Sequence, residues 1–321
     1  MRILWLSKLS MKSLEKSSGH CVLSWNPIVK KLLGVVIVMA WLGLLGCGGG
    51  IDGEETAILP GNSSDLCLVD SFVTAVLVFP ANDLSHMRRG TLTICAVSGV
   101  PSNKIEHAAR VAAQWLDNDQ DGSIDNTNVA MNLLSNRATV FLLQTASQEE
   151  FIENQLAAKY SDPDNLGVMF QTLYATETHL ISTLAERDAS GEEIHHILSD
   201  SGWENVGNFS QRLDAAYNEA TNSTPSLWVY NDPTCNRECQ KTEFLYTSVA
   251  AYLGSEPDLQ ANELKIPAAD RTGQASAQAW LNANLEQIYN LIHTTTGYPN
   301  QIWPNGQYPH TQNIVIESTS P

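Results

Sequence analysis

The 321-residue chain is poor in positive charge and in histidine: 18 Lys and Arg stand against 35 Asp and Glu, with 8 His, for a net charge of −17. The shortage deepens past the start of the chain. Six of the basic residues (Arg2, Lys8, Lys12, Lys16, Lys30 and Lys31) fall in the first 46 positions beside one acid, Glu15, which leaves 12 basic and 34 acidic residues, a balance of −22. This disfavours nucleic acid and anionic membrane surfaces as partners, because Lys and Arg must neutralise their phosphates. It favours cations. The apolar run Leu32 to Leu45 is too short to span a bilayer as a helix. No G-x-S-x-G, Walker loop or dinucleotide fingerprint occurs, and there is no internal repeat. What is present, 43% hydrophobic residues over this length, suits a globular protein of one large or two modest domains.

Lys30 and Lys31 ahead of the apolar run make the pattern of a signal-peptide core, and the run ends in Leu44-Leu45-Gly46-Cys47. These four residues resemble the lipobox of bacterial lipoproteins, with small Gly46 before the cut and Cys47 left for diacylation; Leu45 stands where Ala or Ser is more usual. The resemblance implies a signal peptide over 1–46 and lipid chains on Cys47 that anchor an otherwise soluble protein, at roughly 0.8 kcal/mol per buried methylene. Gly48 is not the Asp that retains many lipoproteins in the inner membrane, so the implied destination is the outer membrane. An uncleaved N-terminal anchor is the other reading, and Met11 is an alternative start.

Once Cys21 and Cys47 are set aside, Cys67, Cys95, Cys235 and Cys239 remain. An even number in an oxidising compartment points to disulfides, and of three pairings the two local ones, Cys67 with Cys95 and Cys235 with Cys239, are preferred. A metal site at C-x3-C is the rival for the second pair, but it lacks a matching pair or a nearby His.

Residues 47–64 are rich in Gly, Ser and acids without periodicity and read as a flexible tether, followed by a single domain over 65–321. Strands are expected at 72–79, 90–100, 139–145 and 167–180. A helix over 103–116 has Ser102 as N-cap and His107 opposite its apolar stripe, hence solvated; "NVAMNLLSNRA" gives a second, and Ser147 with Glu150 in capping-box spacing starts a third. Helices follow at 190–199, 208–221, 235–253 and 274–293, then a coil tail over 294–321 whose Tyr298, Trp303 and Tyr308 clamp onto the domain or stack on sugars. The expected fold is α+β, a small N-terminal sheet with helices and then a mainly helical half.

"DNDQDGSIDNTN" (117–128) resembles the calcium loops of EF-hands, dockerins and thrombospondin-type repeats: Asp117, Asp119 and Asp121 at positions 1, 3 and 5, Gly122 at 6, Ile124 at 8, Asp125 at 9. A hard dication needs six to eight oxygens at about 2.3–2.6 Å, and alternate residues of a tight loop converge on one point. Ser123 would add its backbone carbonyl. Asn128 replaces the bidentate Glu at position 12, which implies affinity in the extracellular-module range, roughly 10⁻⁴–10⁻³ M, and a structural ion.

"GEEIHHILSD" (191–200) sets two carboxylates and two imidazoles on one helix, with Ser190 as its cap and Glu192 and Glu193 in the first turn. Aligned on the H-E-x-x-H of zincin metallopeptidases, it is an E-E-x-x-H variant: Glu192 at the first ligand, Glu193 at the general base, His196 at the second ligand. The resemblance extends to the strand before the helix and to "TEFLYTSVA", which offers Glu243 as third ligand and Tyr246 as oxyanion donor. It implies a Zn²⁺-dependent, metallopeptidase-like hydrolase. Manganese or iron suits the same ligands, and E-x-x-H is also the di-iron spacing, although only one such region occurs. Against this stands a helix face with solvated Glu192 and Glu193, exposed His195 and core-packed His196; His179 is a further but weaker ligand candidate. Two functions follow from these alternatives: a lipid-anchored, calcium-binding envelope protein with a degenerate metal-dependent peptidase site, or a non-catalytic calcium-binding surface module that recognises proteins or glycans.

Overall fold

The computed structural model describes residues 66–82, 88–160, 167–183 and 185–318. The expected signal peptide over 1–46, the expected lipidation site Cys47 and the expected tether over 47–64 lie outside the described residues. Strands β1 (Phe72–Asn82) and β2 (Arg88–Val97) pair antiparallel, with Ala75 opposite Cys95 and Leu77 opposite Thr93. The chain then crosses over through α1 (Ser102–Leu116) and α2 (Thr127–Ser135) to β3 (Thr139–Leu143), parallel to β2, and through α3 (Glu149–Lys159) to β4 (Phe170–Tyr174), parallel to β3. A last strand, β5 (Ile314–Ser318), returns to β1 antiparallel and completes the order β4-β3-β2-β1-β5. Every residue of β3 and all but the first of β2 are buried, Arg89, Thr91 and Thr93 of β2 among them, because both faces of the sheet are covered here.

The rest is helical: α4 (Ser190–Leu198) running into a π turn at Ser199–Trp203, then α5 (Phe209–Asn222), α6 (Arg237–Tyr252), α7 (Pro257–Asn262), α8 (Gln274–Asn284) and α9 (Glu286–Thr294). Helices α5, α6, α8 and α9 pack on one another, while α4 is wedged between β3, β4, α1 and α6. The expected α+β class is found, and so are both local cysteine pairs, Cys67–Cys95 and Cys235–Cys239, at bonding distance.

Several boundaries differ from expectation. The fourth strand stops at Tyr174, because Glu177 N–H bonds back to Tyr174 O and turns the chain. The helix expected over 274–293 is two, broken at Leu285 (φ −136°, ψ 62°), a fully buried residue flanked by the weak helix former Asn284. The tail is not all coil, since Ile314–Ser318 joins the sheet. Pro101, not Ser102, takes the cap position of α1, and a 3₁₀ turn at Ala146–Gln148 replaces the capping box of α3.

Candidate metal centre

All nine residues of α4 are buried, including both Glu and both His, so this helix lies inside the domain rather than presenting a solvated face. A polar helix in that position must find partners for each group. Ser190 does not cap it; its hydroxyl donates to Asp188 Oδ2 at 2.6 Å, while Asp188 Oδ1 accepts the Ser190 and His179 backbone N–H. The same Asp188 carboxylate lies 2.7 Å from His107 Nε2. His107 is therefore buried against Asp188 and not solvated, and the chain passes so close at Gly306 (φ +75°) that a Cβ there would come within 2.2 Å of His107 Nδ1. Burial would raise Asp188, but hydrogen bonds from His107 and Ser190 outweigh it and hold the carboxyl below its ordinary value.

His195 is not exposed either. Its ring sits between Trp115 and Tyr246, with Tyr298 Oη and Ser199 Oγ each 3.3 Å from a ring nitrogen. Burial pushes its pKa down to about 3, so it stays neutral. His196, one residue on, is the opposite case. Its Nδ1 lies 3.7 Å from Glu193 Oε2 and its Nε2 lies 3.5 Å from Glu243 Oε2 on α6. Burial alone would lower its pKa, but Glu243 and Glu193 outweigh it and hold the imidazole well above the usual range.

Glu192, His196 and Glu243 each offer a ligand atom within 4.8 Å of the others. Helix periodicity brings Glu192 and His196 to one side of α4, and α6 delivers Glu243 from across the helix pair. Burial, only partly offset by Arg187, raises Glu192 to about 8, so it holds a proton at neutral pH. Burial would raise Glu243 too, but His196, Tyr230 and Glu192 hold it below its ordinary value. No family model, curated protein or solved structure matches the chain.

His196 Nε2 is a buried atom with no hydrogen-bond partner, since Glu243 is too distant for a good bond. Two ligands each about 2.0–2.2 Å from a tetrahedral ion stand about 3.4 Å apart, a separation that the 3.5 Å between His196 Nε2 and Glu243 Oε2 matches. Glu193 is placed differently. It faces the other ring edge of His196, and its carboxylate accepts a hydrogen bond from Gln171 Nε2 of β4. That is the position of a carboxylate that orients a ligating imidazole, the opposite edge from the ligand cluster. Tyr246 is fully buried, its hydroxyl has no partner, and its ring meets His196 edge-on at 5.8 Å.

The acidic loop joins α1 to α2 and stands apart from this cluster. Asp117, Asp119 and Asp125 bring ligand atoms within 4.8 Å of one another. Asp121 and Ser123 are exposed, with Asp121 Oδ1 accepting the Ser123 N–H, and Asn128 is exposed in the first turn of α2, whose cap is Asn126. Burial, with a further contribution from Asp119, Asp117 and Asp121, pushes Asp125 up to about 6. The tail clamps the loop from outside. Tyr308 Oη donates to Asp117 Oδ2 at 2.5 Å, His310 Nε2 reaches Gln120 O at 2.9 Å, and Asn313 Nδ2 donates to Gly122 O at 3.0 Å. Sequence reasoning missed the loop's hold on the tail, Arg187 and the His107–Asp188 pair, because each joins residues more than 60 positions apart or at a helix edge with no periodic signature.

Proposed function

We propose that the chain is an envelope lipoprotein anchored through Cys47, with calcium at the 117–128 loop and a second divalent metal at Glu192, His196 and Glu243 in a metallopeptidase-like but degenerate centre. The observation that carries the second metal is the buried, unpartnered His196 Nε2 facing two carboxylates. In a site this deep, three Glu around one imidazole leave excess negative charge that either a proton or a cation must balance. A bound dication supplies Lewis acidity, polarising a carbonyl and making water a better nucleophile at neutral pH. His196 would have to give up its proton to offer Nε2 to the ion, with Glu193 and Gln171 placed at the other ring edge and Tyr230 beside Glu243. Glu192 must lose its proton to serve as ligand, so metal uptake rises with pH. Tyr246 brings the free hydroxyl of the site.

Glu193 as general base would have to leave Gln171 and His196, and this favours the second function, a calcium-binding surface module without hydrolytic activity. Metal analysis of purified protein separates the two. Zinc, manganese or iron retained at one equivalent in wild type and lost in His196→Ala supports the centre; calcium alone in both rejects it. Peptide hydrolysis that survives Glu193→Gln assigns Glu193 to orientation, whereas its abolition, with metal content intact, assigns Glu193 to proton transfer.

A further inference from the structure

A cleft of about 720 Å³ opens beside α4. Its titratable groups are His107, His179, Arg187, Asp188, Glu256 and Asp258. His107 Nε2 and Asp188 Oδ2 lie 2.7 Å apart and engage one another. Arg187 is spent chiefly on Glu192, which it approaches to 2.5 Å, and it stands 3.9 Å from Glu256. One guanidinium thus spans two carboxyl groups, and the exposed Asp258 adds a third on the same wall.

Glu256 is unusual in its backbone as well as its charge. It adopts φ +52° and ψ 57°, the left-handed region that strains a non-glycine residue. Its side chain is only 9% exposed. The rim beside it is apolar: Leu180 and Ile181, 46% and 78% exposed, face the cleft with Pro257 and Leu259. A negative wall over an apolar rim, on a protein with 35 acids against 18 bases, complements a cation carried on an aliphatic stem.

We propose that this cleft binds a lysine-bearing peptide, with the ammonium group on Glu256 and the methylene stem along Leu180, Ile181 and Leu259. Arg187 stays with Glu192, so binding exchanges the long Arg187–Glu256 contact for a short charge-assisted one. The proposal goes beyond the metal reading and does not depend on it.

The test is calorimetric titration of full-length protein with acetyl-Ala-Leu-Lys-Leu-Ala-amide, in calcium buffer free of transition metals, against the same peptide with Gln for Lys. The Lys peptide is expected to bind at one site, about tenfold or more tighter than the Gln peptide, and to weaken with added salt. Glu256→Gln should abolish that difference. Glu256→Gly is the second variant, because glycine suits φ +52°: it should melt higher than wild type and lose the preference equally. Equal affinity for the two peptides, no measurable binding of the Lys peptide, or a preference that survives both variants overturns the proposal.

Discussion

His196 carries a charge balance that no neighbour can take over, with Glu193 on one edge of its ring and Glu243 on the other. His196→Ala leaves Glu192, Glu193 and Glu243 buried with only Arg187 nearby, so the metal-free variant should lose on the order of 3–5 kcal/mol in urea unfolding. Glu192 responds to pH in a defined direction. Its folded pKa is raised from 4.5 to about 8, so the contribution it makes is fully present below about 4.5 and is lost as pH climbs through 8. Gln cannot titrate. Metal-free Glu192→Gln should therefore match wild type near pH 5 and exceed it by a few kcal/mol near pH 9, measured by denaturant unfolding. A gap that does not change with pH means that Glu192 is ionised throughout.

Among the elements, the α1–α2 connection depends on one side chain. Asn118 is fully buried; its Nδ2 donates to Gln114 O and Ile302 O, and its Oδ1 accepts the Gln301 and Ile302 N–H groups. Asn118→Ala strands those groups together, so a loss of about 2–4 kcal/mol and a faster protease cut within 296–313 are expected, read by thermal melting and limited proteolysis. The two disulfides should differ in the same assay: Cys95→Ser opens a loop of 28 residues and costs roughly 3–4 kcal/mol by chain entropy, while Cys239→Ser opens one of 4 and costs much less. What was legible beforehand follows from range. Strand and helix identity came from local periodicity, so β1 to β3, α5 and α6 fall close to expectation, as does the Glu192, His196, Glu243 grouping, whose first two members share a helix face. Features set by distant packing were not legible. His107 looked solvated because its own helix could not reveal Asp188, and Leu285 left its helix to fill a core that its sequence neighbours do not describe. Ile314–Ser318 alternates well enough for a strand, but only the free edge of β1 makes it one.

On the scale of the whole molecule, the acidic loop and the cleft are joined by the tail. Residues 296–313 are fastened to the loop through Tyr308, His310, Asn313 and Asn118, and the same segment supplies Trp303, Pro304, Asn305 and Gln307 to the cleft wall. Gly297 (φ +69°) lies so close to Asp125 that a Cβ there would meet its carbonyl oxygen at 2.4 Å. A cation that pulls Asp117, Asp119 and Asp125 together therefore acts on the tail directly. If the loop binds calcium as proposed, the ion at about a hundred times its Kd adds roughly 2.7 kcal/mol through a site that the unfolded chain lacks, so chelation should lower the wild-type melting temperature by several degrees. Asp117→Ala should melt lower and respond to neither calcium nor chelator. Because the cleft wall hangs on the same segment, chelation should also speed amide exchange at Trp303 to Gln307 while leaving β2 and β3 protected, and exchange that rises equally everywhere would mean that calcium stabilises the domain without coupling the loop to the cleft.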